Sequence, residues 1–262
     1  MTLIAEPDGY DAAIFDELAA IEDQSFWFRA RNRLIVQLAS EISRPGDRLL
    51  EVGCGTGYVL NALVRECGLV ATGSELFKEG LAYAKTRVPT ADFIELDARR
   101  MPFEDAFDLV GAFDVLEHID DDVGVLRGLY RAVRRDGHLL LTVPQHPSLW
   151  SASDTYAHHV RRYRRRELLE RVTAAGFDII RTTSFVTSLL PVMAISRWRG
   201  RSPGATYDAK AELVPPRPLN RALESMLNLE CALIRRGVNL PVGGSLVLVA
   251  RRNGKLYSEA RA

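Results

Sequence analysis

The stretch from Leu49 to Leu60 reads LLEVGCGTGYVL and decides the fold. Strand-forming residues include one acid, Glu51, and then glycine stands at every second position: Gly53, Gly55 and Gly57. Helix-compatible residues follow from Tyr58 to Arg65. Glycine adopts backbone conformations that are closed to other residues, and it lets a ligand approach to contact distance. The stretch therefore predicts a strand, a tight turn that holds a small molecule, and a helix.

The spacing of the glycines distinguishes between two kinds of ligand. The dinucleotide fingerprint G-x-G-x-x-G needs a small residue where the helix meets the strand, and this chain has Tyr58 there. The pattern is instead E-x-G-x-G-x-G, which resembles the nucleoside-binding loop of class I S-adenosylmethionine-dependent methyltransferases. The resemblance implies that the chain binds S-adenosylmethionine and releases S-adenosylhomocysteine.

Beyond the glycine turn, strand-like and helix-like segments alternate, which is typical of a doubly wound parallel sheet in an α/β protein. The resemblance makes this a seven-stranded, mostly parallel sheet whose last two strands pair antiparallel. The predicted strands are residues 48–52, 69–73, 92–96, 107–113, 139–143, 177–183 and 245–252. We expect an N-terminal helical cap at 1–44, an S-adenosylmethionine-binding core at 45–184, a helical insertion at 185–244, and the final strand with a tail at 245–262.

Two acids follow predicted strands. Glu75 lies about 20 residues beyond the glycine turn, where a carboxylate can accept two hydrogen bonds from a ribose diol. An acid at the start of a helix is the other explanation for Glu75. Asp97 and Ala98 follow the third strand. In the family that the chain resembles, an acid at that point accepts a hydrogen bond from the adenine amino group, and the next backbone amide supports the ring.

An aromatic and basic segment, FWFRARNR, precedes the first strand. It is similar to a W-F-x-x-R-x-R pattern of many bacterial methyltransferases, which places Trp27 or Phe28 over the cofactor and Arg31, or one of its neighbours Arg29 and Arg33, near the cofactor's carboxylate. A hydrophobic plug is the alternative. The resemblance implies that the remaining cofactor contacts come from the glycine turn and the strand ends: Glu51, Gly53, Cys54, Gly55, Gly57, Leu76, Phe113 and Asp114.

Candidate catalytic groups lie at two further strand ends. Residues 114–118 read DVLEH, and residues 159–163, in the loop after the fifth strand, read HVRRY. Histidine titrates near neutrality, so His118 or His159 can act as the general base. Asp154 can form an orienting acid–base pair with His159, and Tyr163 adds a phenol. The alternative for each residue is structural, namely hydrogen bonds that fasten the loop.

Acids also cluster at Glu117 and at residues 120–122, which on charge alone suggests a divalent metal. Helix capping and the helix dipole explain acids at the start of a helix. No second group of candidate metal ligands stands at a spacing that is typical of a metal site. We therefore expect no metal site.

Composition narrows the partners and the compartment. Lys plus Arg and Asp plus Glu number 34 each, so no global field attracts nucleic acid, and none is expected as a partner. Cys54, Cys67 and Cys231 form no C-x-x-C pair, and the first residues do not resemble a secretory leader. We expect a cytoplasmic protein.

The insertion carries more apolar side chains than one amphipathic face needs, among them Phe185, Leu189, Met193 and Trp198. We expect a lid over a small, partly apolar methyl acceptor, with a homodimer or a peripheral membrane contact as alternatives. The expected reaction is transfer of the sulfonium methyl group to an oxygen, nitrogen or carbon nucleophile. Two other classes stay open: a non-catalytic module that binds an adenosyl ligand, and a nicotinamide-dependent oxidoreductase.

Overall fold

A seven-stranded sheet organises the chain, and the computed structural model describes residues 13–193 and 209–253. The strands are β1 (Arg48–Val52), β2 (Val70–Glu75), β3 (Asp92–Glu95), β4 (Phe107–Phe113), β5 (Val133–Pro144), β6 (Phe177–Phe185) and β7 (Ser245–Arg252). Their order across the sheet is β3-β2-β1-β4-β5-β7-β6. The pairs among β1 to β5 are parallel, whereas β7 runs antiparallel to both β5 and β6. This confirms the predicted α/β, mostly parallel architecture.

Helices cover both faces of the sheet. They are α1 (Ala13–Ile21), α2 (Phe26–Ile42), α3 (Tyr58–Cys67), α4 (Lys78–Arg87), α5 (Asp122–Ala132), α6 (Ala152–Tyr156), α7 (Arg165–Ala174), α8 (Ala209–Leu213) and α9 (Arg217–Arg235). One apolar core joins α2, α3 and α9 to the sheet, and the other joins α5 and α7 to its opposite face. Every residue of β4 is buried, as expected for a central strand with both faces covered.

The parallel strands end at one edge of the sheet, and the segments that leave this edge carry the candidate site. They are the turn after β1 and the segments that follow β2, β3, β4 and β5. Parallel α/β sheets bind ligands in the crevice outside these carboxyl ends. The fold therefore brings to one place polar residues that are far apart in the chain.

The insertion is part of the helical layer. Leu227, Cys231 and Ile234 of α9 are buried in the same core as Ala30 and Leu34 of α2. Phe185 and Leu189 lie in this core too, whereas Ile195 and Trp198 fall outside the described residues. Within the described ranges, we find no helix that combines the length and the apolar character needed to cross a bilayer. The lid, homodimer and membrane alternatives stay predictions.

The N-terminal helices are fastened to the glycine turn by a buried polar network. The hydroxyl of Thr56 donates to both oxygens of Glu22 at 2.7 Å. Arg87 of α4 donates to Glu22 Oε2 at 2.7 Å and to the backbone oxygen of Thr56 at 3.3 Å. Because Thr56 lies between Gly55 and Gly57, this network fixes the turn against α1 and α4.

Candidate active site

The three glycines of the turn all have positive φ angles, yet they meet different surroundings. The φ angles are 66° at Gly53, 52° at Gly55 and 76° at Gly57. A Cβ atom on Gly53 would lie 2.6 Å from Val115 Cγ2, and one on Gly57 would lie 2.9 Å from Ala84 Cα. A Cβ atom on Gly55 would meet no atom within 4 Å. Packing therefore requires two of the glycines, and the third faces open space.

Glu75, at the end of β2, contacts the glycine turn through its carboxylate. Its carboxylate accepts hydrogen bonds from the backbone N–H groups of Gly55 at 3.0 Å, Leu76 at 2.7 Å and Phe77 at 3.3 Å. Burial raises the pKa of this carboxyl, and the three hydrogen bonds offset only part of that effect. Glu75 thus lies beside the turn, where the sequence places the ribose acceptor.

Asp97 follows β3 and is held by one neighbour. The backbone N–H and the guanidinium of Arg99 both donate to its carboxylate at 2.8–3.0 Å. Burial alone would raise the pKa of Asp97, but the hydrogen bonds from Arg99 outweigh it and hold the pKa below its usual range. Ala98 is buried beside it. Contacts of this pair with adenine stay a prediction.

The structure separates the three arginines of α2. Arg29 and Arg33 pair with Glu224 of α9, away from the strand ends. Arg31 is buried and lies 2.5 Å from Asp114 Oδ2, with its guanidinium 5.1 Å from the centre of the Trp27 ring. Asp114 follows Phe113 at the end of β4 and has a φ of 59°, a conformation that is uncommon for a residue with a side chain. Arg31, Trp27 and Asp114 therefore meet at the sheet edge.

Glu51, at the end of β1, is buried with one carboxylate oxygen, Oε2, lacking a hydrogen-bond partner among the residues the structure describes. Desolvation raises the pKa of this carboxyl well above its usual value; Arg31 opposes the rise, and Glu75 and Glu22 add to it. An unpaired buried carboxylate is costly unless a donor or a cation approaches it. The site therefore favours a positively charged ligand.

Asp154 and His159 form the pair that the sequence predicts. His159 Nδ1 lies 2.9 Å from Asp154 Oδ1, to which Arg162 donates at 2.7 Å. The backbone N–H of Ser151 donates to the other oxygen of Asp154 at 2.8 Å. Burial would raise the pKa of Asp154, but the hydrogen bonds from His159 and Arg162 prevail and lower it to about 2. An ionised Asp154 thus orients the imidazole and leaves Nε2 on the opposite side of the ring.

That opposite side faces Glu117 and His118. His159 Nε2 lies 4.0 Å from Glu117 Oε1, and the rings of His159 and His118 meet edge-on with their centres 4.8 Å apart. Glu117 is fully buried, and neither of its carboxylate oxygens has a hydrogen-bond partner in the described part of the chain. Desolvation raises the pKa of Glu117 well above its usual value, and Asp114 adds to the rise. Desolvation and then His159 lower the pKa of His118, although this residue reaches the surface.

Tyr163 has a different environment from the two histidines. Its ring is completely buried, and its hydroxyl donates to Asp122 Oδ2 at 2.6 Å and to the backbone oxygen of Leu116 at 3.2 Å. Burial and the hydrogen bond to Asp122 raise the pKa of the phenol. The geometry suits a residue that ties the loop after β5 to the loop after β4.

Sequence reasoning did not identify two features of this site. Glu117 was considered only as one of several acids at a helix start, and His159 was not expected beside it because about 40 residues separate them. Arg162, within the run HVRRY, is buried against Asp154, a contact that the sequence does not indicate. The only sequence signal for either feature is that these residues follow strands whose carboxyl ends lie at the same edge of the sheet. That signal places the residues near the edge but does not orient their side chains.

These residues fit S-adenosylmethionine, which has a sulfonium and an ammonium group close to a nucleoside. The turn at Gly55 leaves the space that a ligand needs, and Glu75 lies beside it. The unpaired oxygen of Glu51 can accept a hydrogen bond from an ammonium group, and the ion pair of Arg31 with Asp114 lies at the same edge of the sheet.

The fold and the site together define an α/β nucleoside-binding protein of the methyltransferase type. The chain matches the family described as a methyltransferase domain over residues 22–182 and belongs to it. The relatives of the chain include a probable S-adenosylmethionine-dependent methyltransferase, which supports S-adenosylmethionine as the cofactor.

The relatives agree with this assignment. A probable S-adenosylmethionine-dependent methyltransferase of Mycolicibacterium smegmatis is 27% identical over 165 residues, which cover 62% of this chain and 63% of the relative. The 27-O-demethylrifamycin SV methyltransferase of Amycolatopsis mediterranei is 34% identical over 134 residues, covering 48% of this chain and 47% of the relative. The chain thus spans between about half and 63% of the length of these relatives.

Among solved structures, the fold is similar to phosphoethanolamine N-methyltransferase 2 of Haemonchus contortus, in complex with phosphomonomethylethanolamine and S-adenosylhomocysteine. The TM-score is 0.63 at 20% identity, and the match covers 95% of this chain and 59% of that chain. At this identity the likeness shows the fold alone.

Proposed function

We propose that the chain transfers the methyl group of S-adenosylmethionine to a hydroxyl group of a small molecule with an apolar body. The observation that carries this proposal is the open space at Gly55, which lies beside the buried carboxylate of Glu75. One of the relatives is named for an O-methylation, which supports oxygen as the accepting atom.

The residues of this chain would divide the work as follows. Glu75 would hold the ribose and Asp97 the adenine, while Arg31 and Glu51 would hold the charged end of the donor. The bound donor supplies an electrophilic methyl group. Most of the rate acceleration would come from holding the acceptor in line with that methyl group, because orientation of the two reactants accelerates a reaction more than a single general base does.

His159 is the residue we place against the accepting oxygen. Asp154 fixes the ring through Nδ1, so Nε2 is the atom that meets the acceptor. A neutral imidazole in this position can take the proton that a hydroxyl group loses. His118 and Tyr163 stay weaker candidates, since the hydroxyl of Tyr163 is occupied by Asp122.

The experiment uses isotopically labelled S-adenosylmethionine and a panel of small phenols and macrocyclic alcohols. We expect His159→Ala to lower turnover at saturating substrate by about 10²–10⁴-fold and to leave the Kd of the donor unchanged. His138→Ala, on β5 and outside the site, serves as the matched control. Donor binding without transfer to any acceptor would contradict the enzyme and favour an adenosyl-binding module. Tight binding of NADH in place of the donor would favour the oxidoreductase.

Two further expectations belong with this proposal. Cys54, Cys67 and Cys231 are buried thiols without disulfides, which supports a cytoplasmic location.

Val192, Leu219 and Leu229 are exposed, which supports a contact of the 185–244 segment with a second copy of the chain or with a membrane. Measuring mass in solution with and without lipid vesicles tests the second expectation.

A further inference from the structure

Glu117 is the least satisfied charged group in the described part of the chain. It has no exposed surface, and both of its carboxylate oxygens lack a hydrogen-bond partner there. Leaving an ionised carboxylate buried and unpaired costs several kcal/mol, so such groups are paired, protonated or bound to a cation. The nearby arginines are already engaged, since Arg31 contacts Asp114 and Arg162 contacts Asp154.

Two imidazoles stand around this carboxylate. One ligand atom from each of Glu117, His118 and His159 can be chosen so that all three lie within 4.8 Å of one another. His159 already presents Nε2, because its Nδ1 is engaged by Asp154 at 2.9 Å. A carboxylate that binds the far nitrogen of a histidine is the usual support for a metal-ligating imidazole.

We propose that Glu117, His118 and His159 bind one divalent transition-metal ion, such as Zn²⁺ or Mn²⁺. Two nitrogen ligands and one oxygen ligand suit these ions. His118 reaches the surface and provides a route of entry. Three protein ligands leave a coordination position for the accepting oxygen.

The ligand atoms must close in slightly around the ion. Bonds of about 2.0–2.1 Å put neighbouring ligands of a tetrahedral ion about 3.3 Å apart. The distance from Glu117 Oε1 to His159 Nε2 is 4.0 Å, and the ligand atoms of the cluster lie within 4.8 Å of one another, so side-chain movements of about 1–1.5 Å bring the three atoms into range. Asp154 does not need to move, because it holds the opposite nitrogen of the ring.

Binding of the ion at this site does not depend on the proposed methyl transfer. Only the catalytic role of the ion rests on that proposed function. With the ion bound, His159 is a ligand and no longer a free base. The ion attracts the accepting oxygen and makes its proton easier to lose to water. The oxygen then forms the bond to the methyl carbon while the carbon–sulfur bond breaks, and the electron pair of that bond stays on sulfur as S-adenosylhomocysteine.

The test titrates tag-free, EDTA-dialysed protein with Co²⁺ and Zn²⁺. Co²⁺ should give visible absorption bands of a low-symmetry site, and calorimetry with Zn²⁺ should give one ion per chain. Glu117→Gln and His159→Ala should each weaken Zn²⁺ binding at least 100-fold, and Asp154→Asn should weaken it about 10–100-fold by disturbing the support of the ring. His138→Asn, which leaves the cluster intact, should bind as the wild type does.

The melting temperature provides a second measurement, which tests the proposal even if a variant folds poorly. Glu117→Gln removes an unpaired buried charge, so in EDTA its Tm should equal or exceed that of the wild type, and added Zn²⁺ should raise the Tm of the wild type only. The absence of 1:1 binding by the wild type, or equal binding by Glu117→Gln, would overturn the proposal. Full turnover in EDTA together with loss of turnover in His159→Ala would return His159 to the role of a free base and leave the methyl transfer itself intact.

Discussion

Gly53, Gly55 and Gly57 have the same backbone geometry and different reasons for being glycine. Side chains at Gly53 and Gly57 would collide with Val115 and with the backbone of α4, so these two positions are fixed by packing. A side chain at Gly55 would collide with nothing in the chain. The positive φ of Gly55 favours glycine at that position, and the open space beside it leaves room for the ligand that we propose.

Gly55→Val tests this distinction. We expect the Kd for S-adenosylmethionine to rise at least tenfold, because the new side chain takes the volume of the ligand. The matched control is Gly46→Val, whose φ is 89° and whose Cβ would also meet no atom within 4 Å. Both variants should lose about 1–3 kcal/mol of stability from backbone strain. Only Gly55→Val should lose affinity in calorimetry, and equal affinity in the two variants would exclude a ligand at the turn.

The sequence identifies residues of the site more readily than their contacts. The distance of Glu75 from the glycine turn places it near the end of β2, and the resemblance offers Asp154 and His159 as a pair within one loop. The proximity of Glu117 to His159 arises from two loops that meet only once β4 and β5 lie side by side. Local patterns carry no information on such an encounter, which is why a metal site was not expected.

The start of β5 is a boundary that the hydrophobic pattern of the sequence does not predict. The sequence predicts a strand at residues 139–143, but β5 begins at Val133. Its first part includes Arg134, Arg135 and Asp136, which are polar and exposed, so the period-two signal is absent. The register between β4 and β5 also shifts in this region, and an irregular pairing leaves no pattern in the sequence.

The helix α9 shows that the insertion is built into the core. Substituting Asp at Leu189, as a test for a lid, would place a charge in that core and unfold it. A better test compares Leu227→Ala with Leu229→Ala, since Leu227 is completely buried and Leu229 is 63% exposed. We expect Leu227→Ala to lower the free energy of unfolding by about 2–5 kcal/mol and Leu229→Ala to change it by less than about 0.5 kcal/mol. A loss below about 1 kcal/mol for Leu227→Ala in urea unfolding would show that α9 detaches as a hinged lid does.

For the molecule as a whole, the site concentrates acids at one edge of a chain whose net charge is zero. Beyond the effect of desolvation, Glu75 and Glu22 lie close enough to Glu51 to raise its pKa further. Asp114 acts on the pKa of Glu117 in the same way. Arg31 pairs with Asp114 and partly offsets the rise at Glu51. Acids therefore accumulate at this edge although the chain as a whole is neutral.

This arrangement predicts how stability depends on pH without ligand. The pKa of Glu51 and that of Glu75 are raised, chiefly by desolvation, so the folded chain binds protons more strongly than the unfolded chain. These two carboxyls therefore add stability as the pH falls from their raised pKa values towards about 4.3, the value in the unfolded chain. Burial lowers the pKa of His118, His138 and His146, and these groups act in the opposite direction below about pH 6.5. We therefore expect the Tm of the ligand-free protein to increase from pH 8 towards pH 6.5.

Glu51→Gln should abolish part of that increase. Because the variant does not bury this charge, its Tm at pH 8 should exceed that of the wild type by a few degrees, and the difference should shrink towards pH 5. Glu66→Gln, an exposed acid on α3, is the control and should follow the wild type. S-adenosylmethionine should stabilise the wild type more strongly than Glu51→Gln at pH 8, since the ligand brings positive charge to the carboxylate. A difference in Tm between the wild type and Glu51→Gln that stays the same from pH 8 to pH 5 would show that Glu51 is already compensated, and the argument for a cationic ligand at this edge would fail.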